Sequence, residues 1–453
     1  MQARGNWSSK FGFIMAAAGS AIGLGNIWKF PYVAGKNGGG GFLLIYLAIV
    51  ATIGFSVLMA ELVIGRATQR NPVGALKMLQ RGRWWPLIGY AGIGTAFVIL
   101  SYYVVVAGWT LAYIGKSLTG LLATKDGAVL GSLFTGFITD PVEPVLYAGL
   151  FTTLTILVVI GGVNQGLERA SRVLMPALFV LVVVLCIRSL TLPGAAAGWA
   201  FFTQPKWGDV TFRTVIEALG QAFFSLSLGM GTMITYGSYI SRDADVADSG
   251  FSVVALDTLI ACMAGLMILP AVFAFGMNPA AGPGLTFVTL PRVFAQMPGG
   301  VVFGPLFFIL LAIAALTSAV SLLEVVTAYF VDELGMRRRT CTVAAGVIAF
   351  ALCIPSSLSL GVWSGHTLFG MGFLDIMDFL ATNIMLPTGG LAIAAFVGWA
   401  VPDRMVAEFT NGNPRLAGLA RLWLFFVRYV SPAGIFVVLL NGLPFLAAYL
   451  PWN

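Results

Sequence analysis

Long runs of apolar residues alternate along the chain with short polar segments. Each run is about 20 residues long, which is the length that an α-helix needs to cross the hydrocarbon core of a bilayer. The pattern predicts an all-α polytopic membrane protein with eleven transmembrane helices, numbered here as spans 1 to 11. The predicted spans cover residues 11–35, 41–65, 86–117, 145–162, 166–188, 214–240, 249–277, 302–332, 340–360, 374–400 and 425–449.

The composition excludes a soluble protein. Hydrophobic residues make up 58% of the 453 positions, charged residues only 9%, and the mean hydropathy is +0.93. A soluble domain carries about 25% charged residues, so this chain cannot cover a water-facing surface. That argues against a soluble enzyme, a disordered tail protein and a coiled coil. The net charge of +7 is better explained by cytoplasmic loops than by a nucleic-acid partner.

The cysteines and the histidine give no sign of a metal or redox site. Cys186, Cys262, Cys341 and Cys353 all lie in apolar runs without CxxC spacing, so packing is the simpler interpretation. His366 is the single histidine and falls in a predicted loop. We therefore expect no organic cofactor, and nothing in the sequence indicates an obligate protein partner.

The distribution of Lys and Arg predicts the orientation in the membrane. With the N-terminus inside, 17 of the 25 Lys and Arg residues fall on the cytoplasmic side and 8 on the other side. Cytoplasmic loops carry this excess in membrane proteins. An odd number of spans then puts the C-terminus outside, and residues 401–428 become the last inner loop.

Two predicted helices contain glycines where a helix in lipid should be continuous. Span 1 contains GSAIGLGN at residues 19–26, and span 6 contains SLSLGMG at residues 225–231. Each glycine costs a helix about 1 kcal/mol relative to alanine. Close packing of helices through small residues is the simpler explanation for one such cluster. Two clusters at corresponding positions of two five-helix groups instead favour a transporter with inverted repeats and a site near the bilayer midplane.

The residues around the first break resemble a family signature. The segments GNIWKFPY at residues 25–32 and NGGG at residues 37–40 resemble the neurotransmitter:sodium symporters. The resemblance extends over nearly the whole chain. Further matching positions are Glu61, Gly65, Arg66, Tyr102, Tyr103, residues 223–229, residues 316–318, Asp375 and Asp378.

The resemblance implies the leucine-transporter fold, in which two groups of five helices are inverted repeats. Residues 1–190 would form the first repeat, residues 191–400 the second, and residues 401–453 an inner loop with span 11. Eleven spans resemble the bacterial branch, including multihydrophobic amino acid transporters. We therefore expect a sodium-coupled symporter in a bacterial plasma membrane, with an amino acid as its substrate.

The resemblance also implies two sodium sites. The first would use the Ala21 carbonyl, Asn26, Ser225 and Asp257. Asp257 is an acid within an apolar run, which by itself indicates a functional residue, although pairing with a donor at a helix end would also explain it. A fixed carboxylate there would make chloride unnecessary.

The second sodium site would lie between span 1 and span 8. Its ligands would be the carbonyls of Gly19, Ile22 and Ala314 and the hydroxyls of Thr317 and Ser318. Sodium is a hard cation and prefers oxygen ligands, as related hard ions do. Without the resemblance, Thr-Ser in a membrane helix would be interpreted as bonded to its own preceding turn.

The substrate site is expected beside the first sodium. Amine-transporting relatives carry an aspartate where this chain has Gly23, so the substrate would have to bring its own carboxylate. Leu24, Gly25 and the Tyr103 hydroxyl would hold that carboxylate, and carbonyls at Ala21 and Ser225 would accept from the amine. Apart from Ser227, the side-chain pocket is predicted to be apolar and uncharged. Its expected residues are Ile99, Val106, Phe224, Ser227, Met230, Ala319 and Leu322.

Further positions that match the family imply two gates, one on each side of the substrate site. Lys29 and Asp378 would pair on the outer side, above a lid made by Phe224 and Tyr103. Lys replaces the usual arginine and lacks its bidentate fork, so a weak or water-bridged pair is expected. On the inner side the matching residues are Arg4 with Asp332 and Trp7 with Tyr239.

The spacing of Gly166 and Pro176 in span 5 resembles a family motif for local unwinding at the inner end. Proline removes a backbone hydrogen bond and glycine lowers helix propensity. A proline kink in a packed helix would explain the same two residues.

Other function classes fit the sequence less well. A channel would need a continuous polar pore, whereas here polar groups converge on one point. An enzyme is not indicated, because HExxH, P-loop and Ser–His patterns are missing from the sequence. A receptor on the same fold would lose sodium ligands such as Asn26 and Thr317. A proton-coupled transporter remains the main alternative, with Asp257 as the proton carrier.

Overall fold

The computed structural model describes residues 5–80, 84–280 and 284–443, and most of these residues are helical. The face of the protein at which the first helix begins is called the N-terminal face. The helices are α1 (Lys10–Ala21), α2 (Gly25–Lys36), α3 (Gly40–Thr68), α4 (Pro72–Leu79), α5 (Pro86–Leu118), α6 (Gly127–Thr139), α7 (Glu143–Ile160), α8 (Val163–Leu190), α9 (Ala195–Thr203), α10 (Phe212–Ser225), α11 (Thr232–Gly237), α12 (Val246–Ala274), α13 (Leu290–Gln296), α14 (Gly300–Leu334), α15 (Arg338–Leu358), α16 (Phe373–Ala400), α17 (Pro402–Thr410) and α18 (Pro414–Gly442).

The helical, multi-pass architecture predicted from the apolar runs is confirmed. Within the described residues, nine helices are long and apolar enough to cross a bilayer, and α1 with α2 forms a tenth span bent by 51°. Helices α10 and α11 flank the second predicted break. Counting that pair as an eleventh span, and relating the two groups of five by inversion, both stay predictions.

The connections contain short helices that the apolar pattern did not predict. If successive long helices cross the membrane in alternation, α4 and α17 lie at the N-terminal face and α6, α9 and α13 at the opposite face. The inner loop predicted over residues 401–428 is instead largely helical, because α17 occupies it and α18 begins at Pro414. Arg415 and Arg421 suggested a loop, but both point away from the protein on exposed helix faces.

The backbone leaves the helical conformation at both breaks. After α1, Ile22 has an extended conformation with φ −73° and ψ 94°. After α10, Ser227, Gly229 and Gly231 have φ angles of 54°, 80° and 73°. A side chain on Gly229 would also meet the Leu386 carbonyl oxygen at 2.3 Å. Only glycine combines that conformation with that close contact.

The bent helices are enclosed by the long ones. Helix α14 packs along α5, and α12 packs against α8, α9 and α1. The side chains at the middle of α1 are buried, among them Ala17, Ala18 and Ser20. Both breaks therefore lie within the protein and are not exposed to lipid, which is the condition under which non-helical backbone is tolerated at this depth.

Arg66, near the end of α3, is a buried cation that joins three segments. Its side chain is 2% exposed, and its Nε donates to Glu408 Oε1 at 2.6 Å. The same guanidinium donates to Asn411 Oδ1 at 3.0 Å and to the Ala244 carbonyl. These contacts dock α17 and the α11–α12 connection onto α3 and are called the Arg66 clamp below.

We expect Arg66→Ala to destabilise the protein, because it leaves the Glu408 carboxylate and the Ala244 carbonyl without their donor. The loss should be about 3 kcal/mol and lower the apparent Tm in detergent by about 5 °C. Arg421→Ala, on an exposed face of α18, is the control and should change Tm by about 1 °C or less. Equal melting temperatures for the two variants would contradict the clamp.

Candidate functional site

The two breaks face each other around a buried acid. Asn26 Nδ2 donates to Ser225 Oγ at 2.9 Å and to Asp257 Oδ1 at 2.8 Å. Ser225 Oγ donates to Asp257 Oδ2 at 2.8 Å, and the Tyr46 hydroxyl donates to Ser225 Oγ at 3.3 Å. α2, α10 and α12 each contribute one of the four residues predicted for the first sodium site, and the fourth, Ala21, is the last residue of α1. The chain folds this way because the Gly23 N–H donates to Asn26 Oδ1 at 3.3 Å, which fixes the amide at the break.

Asp257 is fully buried, and no Lys or Arg of the described residues forms an ion pair with it. Its donors are the side chains of Asn26, in the first turn of α2, and Ser225, the last residue of α10, so both lie where a helix begins or ends. A buried carboxylate without a cation is costly unless a positive charge can reach it. The oxygens of Asp257, Ser225 and Asn26 are the ligand type that a hard cation requires.

The residues predicted for the second sodium site lie where α1 approaches α14. Thr317 Oγ1 donates to the Ala314 carbonyl at 3.1 Å, so it bonds to its own preceding turn. Ser318 Oγ instead crosses to α1 and donates to the Ser20 carbonyl at 3.1 Å. A Cβ on Gly19 would lie 3.3 Å from Thr317 Cβ, so the two helices are in close contact.

A cavity opens between the breaks, α5 and α14. Its walls are formed by Ser20, Ala21, Gly23, Leu24, Gly25, Ile99, Tyr103, Phe224, Ser227, Met230, Ser318, Ser321 and Leu322. No charged residue lines it. The Leu24 N–H points to the Tyr103 hydroxyl at 3.5 Å. The cavity thus joins an uncharged, mainly apolar space to a backbone N–H and a phenol.

Most of the predicted pocket residues lie on this wall, but Val106, Ser225 and Ala319 do not. Ser20 and Ser321 line the cavity although the sequence analysis did not select them. The wall is therefore more polar than predicted. There was only weak reason in the sequence to select these two serines, because a serine in a membrane helix normally bonds to its own turn.

Glycine is required at two positions by close contacts. A Cβ on Gly23 would lie 2.4 Å from Ser318 Oγ and 3.3 Å from the Tyr103 hydroxyl. A Cβ on Gly25 would lie 2.8 Å from the Phe224 ring. The backbone of the first break can reach the cavity only because these side chains are missing.

The outer-gate residues lie on the face opposite the N-terminal face. Lys29 Nζ lies 4.5 Å above the centroid of the Phe224 ring, a cation–π contact. Asp378 accepts a hydrogen bond from Thr382 Oγ1 at 3.1 Å. Lys29 and Asp378 both belong to the described residues, and no ion pair joins them there. The aromatic ring, not the carboxylate, is the contact of this lysine.

The inner-gate residues lie at the N-terminal face. The Trp7 backbone N–H donates to the Tyr239 carbonyl and its indole Nε1 to the Tyr236 carbonyl, each at 3.0 Å. The rings of Trp7 and Tyr239 are 5.9 Å apart. Asp332 accepts from the Asn71 backbone N–H at 3.2 Å. Its predicted partner Arg4 lies outside the described residues.

The segment predicted to unwind is helical in this structure. Gly166 lies in a π-helical turn, Val163–Glu168, and Pro176 lies inside the following helix, Arg169–Leu190. Glu168 accepts hydrogen bonds from Ser8 N at 2.8 Å and from Ser8 Oγ at 2.6 Å. Unwinding stays a prediction, and it would have to break this contact with the N-terminal segment.

Besides Asp257, three buried acids were not given a role by the sequence analysis: Glu168, described above, Glu61 and Glu324. Glu61 accepts from the Gly229 N–H at 2.7 Å, which holds the second break against α3. Glu324 accepts from the Tyr239 hydroxyl at 2.6 Å and forms an ion pair with Arg338. An acid within an apolar run was the signal that selected Asp257, and the same signal was present at Glu324.

In the described part of the chain, no group of three or more His, Cys, Asp or Glu side chains converges as a transition-metal site would require. The oxygen clusters above are instead made of carbonyls, hydroxyls, one amide and one carboxylate. This donor set fits an alkali or alkaline-earth cation better than zinc or iron.

Comparison with known proteins agrees with this chemistry. The profile described as Sodium:neurotransmitter symporter family matches residues 4–129 and 142–448. The uncharacterized sodium-dependent transporter YhdH of Bacillus subtilis is 42% identical over 96% of this chain and 97% of its own length. An uncharacterized sodium-dependent transporter of Haemophilus influenzae is 35% identical over 97% of this chain and 98% of its own.

A solved structure shares the fold. The crystal structure of MhsT in complex with L-phenylalanine superposes with a TM-score of 0.90 and 44% sequence identity, covering 97% of this chain and 100% of that chain. The resemblance predicted from the first break is confirmed over nearly the whole sequence. The protein is a sodium-coupled, multi-pass membrane transporter and not an enzyme, and it belongs to the sodium:neurotransmitter symporter family.

Proposed function

We propose that this transporter imports neutral hydrophobic L-amino acids together with sodium, by alternating access and without chloride. The proposed substrates are leucine, tryptophan, phenylalanine and tyrosine. The observation that carries the proposal is the buried Asp257 carboxylate, held by Asn26 and Ser225 between the two breaks, next to a cavity without charged residues. The L-phenylalanine bound in the similar MhsT structure supports the substrate class.

The first sodium ion would bind among Asp257, Ser225, Asn26 and the Ala21 carbonyl. Asp257 already carries the negative charge that a cation needs in a low-dielectric site. A substrate carboxylate would meet the Leu24 N–H and the Tyr103 hydroxyl at one end of the cavity. The substrate then supplies the carboxylate that Gly23 lacks, so an amine without a carboxylate would bind poorly.

The second sodium ion would bind between α1 and α14, at the carbonyls of Gly19, Ile22 and Ala314 with the Thr317 and Ser318 hydroxyls. In this structure both hydroxyls donate to carbonyls, so their lone pairs remain available to a cation. We infer two sodium ions per cycle from these two oxygen clusters.

The cycle would alternate between the two gates. On the outer side, opening would break the cation–π contact of Lys29 with Phe224, and between two partly buried side chains such a contact is worth about 1–2 kcal/mol. On the inner side, opening would release Trp7 from the carbonyls of Tyr236 and Tyr239. We propose that the N-terminal face is cytoplasmic, that the C-terminus lies outside, and that the membrane is a bacterial plasma membrane.

Proton coupling is the second candidate, because Asp257 is a buried carboxylate. The groups around it favour sodium, because the side chains of Asn26 and Ser225 bring further oxygens next to its carboxylate, as a hard cation requires and a proton does not. Transport experiments with separate sodium and proton gradients distinguish sodium coupling from proton coupling.

We expect purified protein in liposomes to accumulate labelled leucine, phenylalanine and tryptophan when sodium is high outside. Replacing external sodium with choline, or collapsing its gradient with an ionophore, should abolish accumulation. A proton gradient without sodium should not restore it. Uptake that follows the proton gradient and ignores sodium would support the second candidate and exclude the first.

Gly23→Asp should abolish amino acid binding, because its carboxylate would lie near the substrate carboxylate in a low-dielectric site. Gly23→Asn is the matched control, since it crowds Ser318 and Tyr103 equally but carries no charge. Both variants should bind leucine less tightly than the unmodified protein, and the aspartate variant at least about tenfold less tightly than the asparagine variant, a difference of about 1.4 kcal/mol. Equal affinities would argue against this placement of the substrate carboxylate.

Transport should continue when gluconate replaces chloride, because Asp257 supplies the fixed negative charge. Asp257→Asn should raise the sodium concentration for half-maximal uptake at least about tenfold, with partial recovery in added chloride. Asp257→Ala should be worse, since a ligand oxygen is lost as well. Asp403→Asn, at an exposed position of α17, is the control and should behave as the unmodified protein does. Strict chloride dependence of the unmodified transporter would contradict this role of Asp257.

A further inference from the structure

Four serines form one wall of the cavity. Ser20 lies at the end of α1, Ser227 in the second break, and Ser318 and Ser321 on α14. All four are buried, with exposed fractions between 1% and 9%. They are called the serine wall here, and the remaining side chains of the cavity are mainly apolar.

Each of the four serine hydroxyls donates its hydrogen bond to an atom of another of these serines. Ser227 Oγ and Ser318 Oγ each donate to the Ser20 carbonyl at 3.1 Å. Ser321 Oγ donates to the Ser318 carbonyl at 2.8 Å. Ser20 Oγ lies 2.8 Å from Ser321 Oγ. Because a hydroxyl has one hydrogen and that of Ser321 is already used, Ser20 must be the donor of the last bond.

The first break explains why this arrangement is stable. In a continuous helix the Ser20 carbonyl would accept from the Leu24 N–H, but that N–H points to the Tyr103 hydroxyl. The freed carbonyl is buried, and leaving it without a donor would cost more than one hydrogen bond contributes. Two serine hydroxyls satisfy it, which uses both of its lone-pair directions.

The serine wall therefore offers the cavity hydrogen-bond acceptors only. Every hydroxyl hydrogen points to another atom of the wall, and the remaining lone pairs of Ser20, Ser227 and Ser321 are the unused capacity, since those of Ser318 are assigned to the second sodium ion. A ligand that needs a donor here would have to break one of these bonds. A ligand that brings a donor would break none.

We propose that the serine wall makes this transporter select hydrophobic amino acids whose side chains carry a hydrogen-bond donor, with Ser20 and Ser321 as the specificity residues. This rests on the proposed function, because it assumes that the cavity binds an amino acid. Ile99, Met230 and Leu322 on the other walls accommodate an apolar side chain. The indole N–H of tryptophan and the phenol of tyrosine combine such an apolar body with one donor.

The test compares two ligands of nearly equal shape. L-Tryptophan has an indole N–H, whereas L-3-benzothienylalanine has a sulfur atom in its place and no donor. Both are measured as competitors of labelled L-leucine in sodium buffer, on the purified full-length protein. Tryptophan should bind about five- to tenfold more tightly, which corresponds to one hydrogen bond.

Ser321→Ala and Ser20→Ala should each reduce that ratio to about two or less. Ser321→Ala also frees the Ser20 hydroxyl hydrogen, so the wall gains a donor. Ser101→Ala is the matched control, since Ser101 is buried on α5, bonds to the Val98 carbonyl and does not line the cavity. The control should keep the ratio of the unmodified protein. If one wall variant fails to fold, as judged by size-exclusion chromatography, the other gives the result.

Equal affinity of the unmodified protein for tryptophan and benzothienylalanine would overturn the serine wall as a specificity device. A ratio that persists in both alanine variants would also overturn it. Neither result affects sodium-dependent leucine binding, so the proposed function would stand. Failure of any amino acid to bind in sodium, leucine included, would instead overturn the proposed function.

Discussion

The constraint on which this structure depends is that a broken helix must find new hydrogen-bond partners inside the membrane. Here the two broken helices largely satisfy each other. The Ser20 carbonyl accepts from Ser227, and the Gly25 carbonyl accepts from Gln221 Nε2 at 2.8 Å. The Gly229 N–H donates to Glu61 at 2.7 Å. Part of the cavity wall follows from this constraint, because Ser227, which satisfies the Ser20 carbonyl, also lines the cavity.

The same constraint explains why charge is so limited in the middle of the protein. Glu324 is neutralised by Arg338 near the N-terminal face, and Arg66 by Glu408. Asp257 has only neutral donors among the described residues. Glu61 is a second buried carboxylate with a neutral donor, the Gly229 N–H, but only Asp257 has the side-chain oxygen of Ser225 beside its carboxylate. Asp257 is therefore the carboxylate at which a cation would find further oxygen ligands.

Much of this could be predicted from the sequence, because glycine and hydropathy act locally. The breaks follow from glycines inside apolar runs, and Asp257 was visible as a lone acid in such a run. The serine wall was not predictable, since the bond from Ser318 to Ser20 depends on how α14 meets α1. The Lys29–Phe224 contact depends in the same way on the angle at the break. Contacts of this kind depend on how distant helices pack together, which the spacing of residues along the chain does not indicate.

The short helix α17 was missed for a related reason. Its apolar face is narrow, and the buried side chains of Met405 and Phe409 supply most of it. Phe409 stacks on Trp423 with centroids 4.8 Å apart, and Trp423 Nε1 donates to the Ser56 carbonyl at 3.0 Å. A nine-residue helix of this kind depends on its neighbours for stability and gives little signal of its own.

The Arg66 clamp also limits which parts of the protein can slide past one another. One guanidinium holds α3, the α11–α12 connection and α17 at the N-terminal face, so moving any of these segments relative to the others would break a buried hydrogen bond. A rocking motion that exposes the cavity on that side must carry them together. Other contacts, such as that of α1 with α14, do not involve these segments and are made by small side chains and serine hydroxyls, so relative motion there leaves the clamp intact.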